Sequence, residues 1–93
     1  MKKYEVMYIV RPSVDEEGKK AVIAELNKVF TDNASTVDKV DEWGLRDLAY
    51  EIDGETKGYY VVLYVTATPE AVKEFDRIAN IRESVIRHIV VVA

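Results

Sequence analysis

The chain has 93 residues, enough for one modest core, and its 48% hydrophobic and 32% charged content is that of a folded rather than a disordered protein. It has no cysteine, which excludes disulfides and thiolate metal sites, and its net charge of −4 weighs against a protein built mainly to bind nucleic acid. The longest uninterrupted apolar run, Tyr59 to Val65, is far too short to span a membrane.

The first segment, KYEVMYIV from Lys3 to Val10, is rich in β-branched and aromatic residues and predicts a strand. At period two, Tyr4, Val6, Tyr8 and Val10 share one face, and Lys3, Glu5, Met7 and Ile9 share the other. The charged start has no small-residue cleavage site and Glu5 interrupts it, so a signal peptide is not expected and the cytoplasm is the default compartment. Arg11 and Pro12 end the strand. Ser13 and Glu16 then stand at capping-box spacing, and Asp15, Glu16 and Glu17 suit the positive end of a helix. Val22, Leu26, Val29 and Phe30, with Ile23, form its apolar stripe; Gly18 weakens its first turn and Asn33 is a stop. STVDKVDEWGLRDLAYEI predicts a long strand whose apolar parity slips at Trp43 and Gly44, the mark of a bulge. DGETKG has turn chemistry, and YYVVLYVTA beyond it is the strongest strand, so the two strands predict an antiparallel hairpin. Thr68 followed by Pro69 starts a second helix with Val72, Phe75, Ile78 and Ala79 as its apolar face; VIRHIVVV, from Val85 to Val92, is a last strand.

The order βαββαβ is the split βαβ, or ferredoxin-like, pattern of class α+β: a four-stranded antiparallel sheet with both helices on one face, here in a single domain over residues 1–93. On the strongest strand, Val61, Leu63 and Val65 suit the helix-covered core. Tyr60, Val62 and Tyr64 then face the open side, joined by Met7 and Ile9. Tyrosines suit strands in any setting, but an apolar and aromatic face without helices also suits a partner.

Catalytic chemistry finds no support. His88 stands alone in a strand pattern without companion ligands, so no metal is expected. No nucleophile motif occurs, and the glycines at 18, 44, 54 and 58 match neither a phosphate loop nor a dinucleotide fingerprint, so no cofactor is expected. KGYYVVLY matches the third-strand fingerprint of RNA-recognition modules only in part, with Tyr60 at a small-residue position and Val61 where a stacking Phe belongs. Lys57 at its head suits contact with a nucleic-acid backbone better than base reading. Charge is uneven: residues 1–12 sum to +2, residues 34–56 to −5 and residues 57–93 to +1. A local basic patch therefore requires the fold to bring the chain ends and one turn together.

Taken together, YEVMYIVRP (Tyr4 to Pro12), EWGLRDLAYEI (Glu42 to Ile52), KGYYVVLY (Lys57 to Tyr64) and IRESVIRHIVV (Ile81 to Val91) resemble the bacterial small-subunit ribosomal protein S6 family over essentially the whole chain. The resemblance implies a structural, non-catalytic ribosomal protein. It implies that ribosomal protein S18 is its heterodimer partner and that the pair binds the central domain of the small-subunit ribosomal RNA, on the small ribosomal subunit in the cytoplasm. Carried over position by position, it makes Lys2, Lys3, Arg46, Lys57, Arg82 and Arg87 the RNA-contact candidates. Trp43, Tyr50, Tyr60 and Tyr64 are the candidates for partner contact, Trp43 serving equally well as a half-buried strand aromatic. Glu51 stands where many members have Pro, and Asn80 and Ile86 where several have further basic residues. The acidic segment 34–56 offers charge complementarity to a basic partner.

Two rivals share the fold class. One is a small regulatory domain that binds a metabolite as a homodimer. The other is an acyl-phosphate hydrolase, which wants a glycine-bearing phosphate loop after the first strand where this chain has RPSVDE.

Overall fold

The computed structural model describes residues 1–52 and 54–93. The elements follow the predicted order: β1 (Lys2–Val10), α1 (Glu16–Asp32), β2 (Thr36–Ile52), β3 (Glu55–Ala67), α2 (Pro69–Ile81) and β4 (Val85–Val92). The strands lie in the order β2-β3-β1-β4 with every pairing antiparallel. Each βαβ half thus straddles a strand of the other, and both helices pack on one face.

The core is where the period-two pattern puts it. Val6, Tyr8 and Val10 of β1 and Val61, Leu63 and Val65 of β3 are buried against Leu26 and Phe30 of α1 and Ala71, Phe75 and Ala79 of α2. Phe75 stacks on Phe30 with centroids 5.4 Å apart and tilts against Tyr8 at 6.3 Å. The Tyr8 hydroxyl has no hydrogen-bond partner among the described residues, and its burial pushes the phenol pKa up.

The first helix starts later than its sequence suggests. Asp15, not Ser13, is the N-cap, and its Oδ1 accepts from the Gly18 N–H at 2.7 Å. Val14 N–H donates to the Arg11 carbonyl at 3.2 Å, which closes a turn through Ser13 and leaves the carboxylate of Asp15 nearest the free helix donors. Gly18 weakens the first turn but relieves crowding there: a Cβ would sit 2.6 Å from Val14 Cγ1, so Val14 would have to shift. The helix stops at Asn33, whose N–H donates to the Phe30 carbonyl and whose Nδ2 donates to the Val29 carbonyl. Ala34 follows with φ +56, and Ser35 N–H returns to the Phe30 carbonyl at 3.0 Å, the wrap of a Schellman ending. Thr68 caps α2 as its sequence predicts, accepting from the Ala71 N–H at 3.2 Å with Pro69 in the first turn.

The long strand departs most from simple alternation. The bulge at Trp43 is present, between Glu42 opposite Val61 and Gly44 opposite Tyr60, and Gly44 takes φ +87. Two further register shifts occur, between Val37 and Lys39 and between Asp47 and Ile52. β3 starts at Glu55, inside the DGETKG segment expected to be turn; Asp53 lies outside the described residues.

Candidate functional site

The helix-free face of the sheet is built by alternation. Met7 and Ile9 of β1, Tyr60, Val62 and Tyr64 of β3, and Arg87, Ile89 and Val91 of β4 point to it, while their neighbours point to the core. Ile9 and Val62 are each only 6% exposed although no helix covers them, whereas Ile89 and Val91 are 50% and 48% exposed. Leu48 of β2 lies beside Ile9, and Trp43 of β2 beside Val62. Leu48, Ala49, Tyr50 and Ile52, with Met7, Ile9 and Tyr60, frame an apolar recess of about 260 Å³. Gly58 allows this close packing, because a Cβ there would lie 2.2 Å from Ile9 Cγ2.

The bulge places Trp43 on this face. Its ring lies parallel to Tyr60, 6° between planes and 6.2 Å between centroids, and its Nε1–H donates to Asp41 Oδ2 at 3.3 Å. Trp43 is thus an exposed aromatic at 44%, resting on a half-buried one. Cations sit over the rings of this face: Arg46 Cζ lies 5.5 Å from the centroid of Trp43, Lys39 Nζ 5.7 Å from that of Tyr64, and Arg87 Cζ 5.9 Å from that of Tyr50. Arg87 also donates to the Tyr50 hydroxyl, which ties the end of β2 across to β4. Lys39 was not singled out by its sequence; only the register, which sets it opposite Tyr64, reveals its place.

The predicted cations fall into two groups. Arg46 is opposite Gly58, Lys57 opposite Asp47, and Arg87 opposite Ile9, all toward one end of the sheet. Lys57 Nζ is 4.0 Å from Asp47 Oδ1, and these two line a polar cleft with Trp43, Leu45 and Arg46. Arg82, at the end of α2, pairs with Glu25 of α1. Lys2 and Lys3 stand opposite Ala67 and Thr66, at the other end. Gly58 and Thr66 are eight residues apart on β3, or about 27 Å along an antiparallel strand. The fold therefore does not merge both chain ends and the turn into one patch.

Two acids of segment 34–56 bond across the β2–β3 hairpin. Asp38 accepts from the Thr66 hydroxyl at 2.7 Å and Glu42 from the Tyr59 hydroxyl at 2.7 Å. The Glu42 bond is the main reason the Tyr59 phenol is pushed up to about 12, with desolvation second. His88 Nε2 is 3.0 Å from Asp76 Oδ1, and its ring meets the Phe75 ring edge-on at 5.7 Å, so it fastens β4 to α2. No group of three or more His, Asp or Glu among the described residues could hold a metal ion.

Known proteins fit this architecture closely. The model of the family described as "Ribosomal protein S6" matches residues 3–92. A relative from Exiguobacterium sibiricum, named "Small ribosomal subunit protein bS6", is 53% identical over 87 residues, covering 94% of this chain and 92% of its own length. The crystal structure of 30S ribosomal protein S6 from Thermotoga maritima superposes with a TM-score of 0.94 at 27% identity, covering 99% of this chain and 87% of the other.

Proposed function

Because the chain belongs to the ribosomal protein S6 family, we propose that it binds the central domain of the small-subunit ribosomal RNA together with ribosomal protein S18, as a non-catalytic constituent of the small ribosomal subunit. Membership of a ribosomal protein family displaces the metabolite-binding and acyl-phosphatase alternatives. The observation that carries the reading is the helix-free sheet face. It is apolar along β1 and β4, aromatic along β2 and β3, and left open by both helices. Such a face is the natural seat of a protein partner. Exposed Ile89 and Val91 supply the apolar area, and Tyr50, Tyr60 and Tyr64 supply rigid rings with polar tips.

The RNA contacts are the cations at the β2–β3–β4 end, Arg46, Lys57 and Arg87, with Arg82 at the end of α2, and Lys2 and Lys3 as a separate contact at the other end of the sheet. Arg46 is the strongest of them: no ion pair engages it among the described residues, whereas Arg82 is paired with Glu25 and Lys57 lies near Asp47. Few phosphate contacts on an acidic protein give weak binding alone, so a basic partner adds both charge and area. Calorimetric titration with purified S18 at low salt should give a one-to-one complex at micromolar concentration. The protein should also migrate with the small subunit on a sucrose gradient of cell lysate. Absence of both would overturn the proposal.

A further inference from the structure

Arg46 is not simply an exposed arginine. Its guanidinium lies over the Trp43 ring, and that ring is itself held from two directions, by stacking on Tyr60 and by the Nε1–H bond to Asp41. A cation–π contact needs only the charge over the ring face. The guanidinium carries five N–H donors, and those turned away from the ring stay available for an oxyanion. A long side chain that must be frozen on binding costs affinity, and a seat that orders it beforehand removes part of that cost. Lys57 brings a second cation to the same polar cleft. We infer that Trp43 is a positioning residue that seats Arg46 for a phosphodiester of the bound RNA, and that the bulge at Trp43–Gly44 exists to put the indole beneath the guanidinium.

This inference rests on Arg46 being an RNA contact. It assigns Trp43 a different duty from that of an anchor for the protein partner. The ligand chemistry is the backbone rather than a base, because Trp43 already stacks on Tyr60 and carries the Arg46 cation.

The test titrates the protein, with S18 present, onto a fluorescently labelled central-domain transcript over a series of KCl concentrations. Arg46→Ala should weaken binding about 3- to 10-fold and reduce the log–log salt slope by about one. Trp43→Ala, which changes no charge, should weaken it about 2- to 5-fold. Adding Trp43→Ala to Arg46→Ala should cost nothing more, and Trp43→Tyr should restore most of the affinity. In the native protein the Arg46 side-chain protons should be shifted upfield by the indole ring current, and Trp43→Ala should return them to ordinary positions.

A loss with Arg46→Ala but none with Trp43→Ala overturns the seat and leaves the Arg46 contact standing. Losses that add, with the slope unchanged by Trp43→Ala, mean that Trp43 touches RNA or S18 itself, and they also overturn the seat. No loss with Arg46→Ala overturns both readings. Unshifted Arg46 protons in the native protein overturn the seat even where affinity falls.

Discussion

Tyr59 shows how one side-chain bond becomes a measurable pH dependence. Its hydroxyl donates to Glu42 across the β2–β3 ladder, and the phenol pKa rises from 10 to about 12. A raised folded-state pKa means that the folded protein keeps this proton at a pH where the unfolded chain has lost it. The associated stability is therefore complete below pH 10 and is lost as pH rises toward 12. Spectrophotometric titration should show a late phase from Tyr59, about two units above an ordinary phenol, separate from the delayed ionisation of buried Tyr8. Tyr59→Phe should remove that late phase and cost about 0.5–1.5 kcal/mol near neutral pH, read from urea midpoints.

Each helix end is a local decision with its own test. The N-cap of α1 is Asp15, so Asp15→Ala should destabilise by about 1 kcal/mol, while Ser13→Ala should stay within about 0.5 kcal/mol. At the other end, Ala34 holds φ +56, a left-handed conformation that its Cβ resists. Glycine suits that position without the steric penalty, although it adds freedom to the unfolded chain. Ala34→Gly should therefore raise stability by about 0.5–1 kcal/mol, measured as a higher urea midpoint at constant slope; a lower midpoint would show that entropy in the unfolded chain prevails. In β2, three register shifts break what period-two reading treats as a single strand with one slip. Only the shift at Trp43–Gly44 had a legible signal, because only it is marked by a glycine.

For the whole molecule, the arrangement separates two duties. One sheet face is consumed by the helices and makes the fold stable; the other is left open, the face proposed above to take the partner. A substitution on the open face should divide the two. Ile89 is half exposed, so Ile89→Asp should leave the melting temperature within a few degrees of native. If the proposed partner face is right, it should weaken S18 binding at least tenfold in the same calorimetric titration, because a charge then interrupts the exposed apolar face. A strong fall in melting temperature would mean that Ile89 serves the core instead. The two groups of cations, about 27 Å apart, also mean that Lys2 and Lys3 should make a contribution to RNA affinity that is additive with that of Arg46.

Element order, the two helix stripes, the core faces of β1 and β3, and the Trp43 bulge were all legible in the amino-acid sequence. They depend on local periodicity and on neighbours a few residues away. The cap at Asp15 was missed because Ser13 also has cap chemistry; the turn from Arg11 to Val14 decides between them, and it forms only where β1 ends. The candidate cations were legible as residue types and through family likeness, but not as a surface. Tertiary structure alone placed Arg46 on Trp43, paired Arg82 with Glu25, tied Arg87 to Tyr50, and set Lys2 and Lys3 at the far end. Those outcomes depend on register between strands distant in the chain. In β2 each bulge reverses which side chains face which way, so no local pattern carries that information.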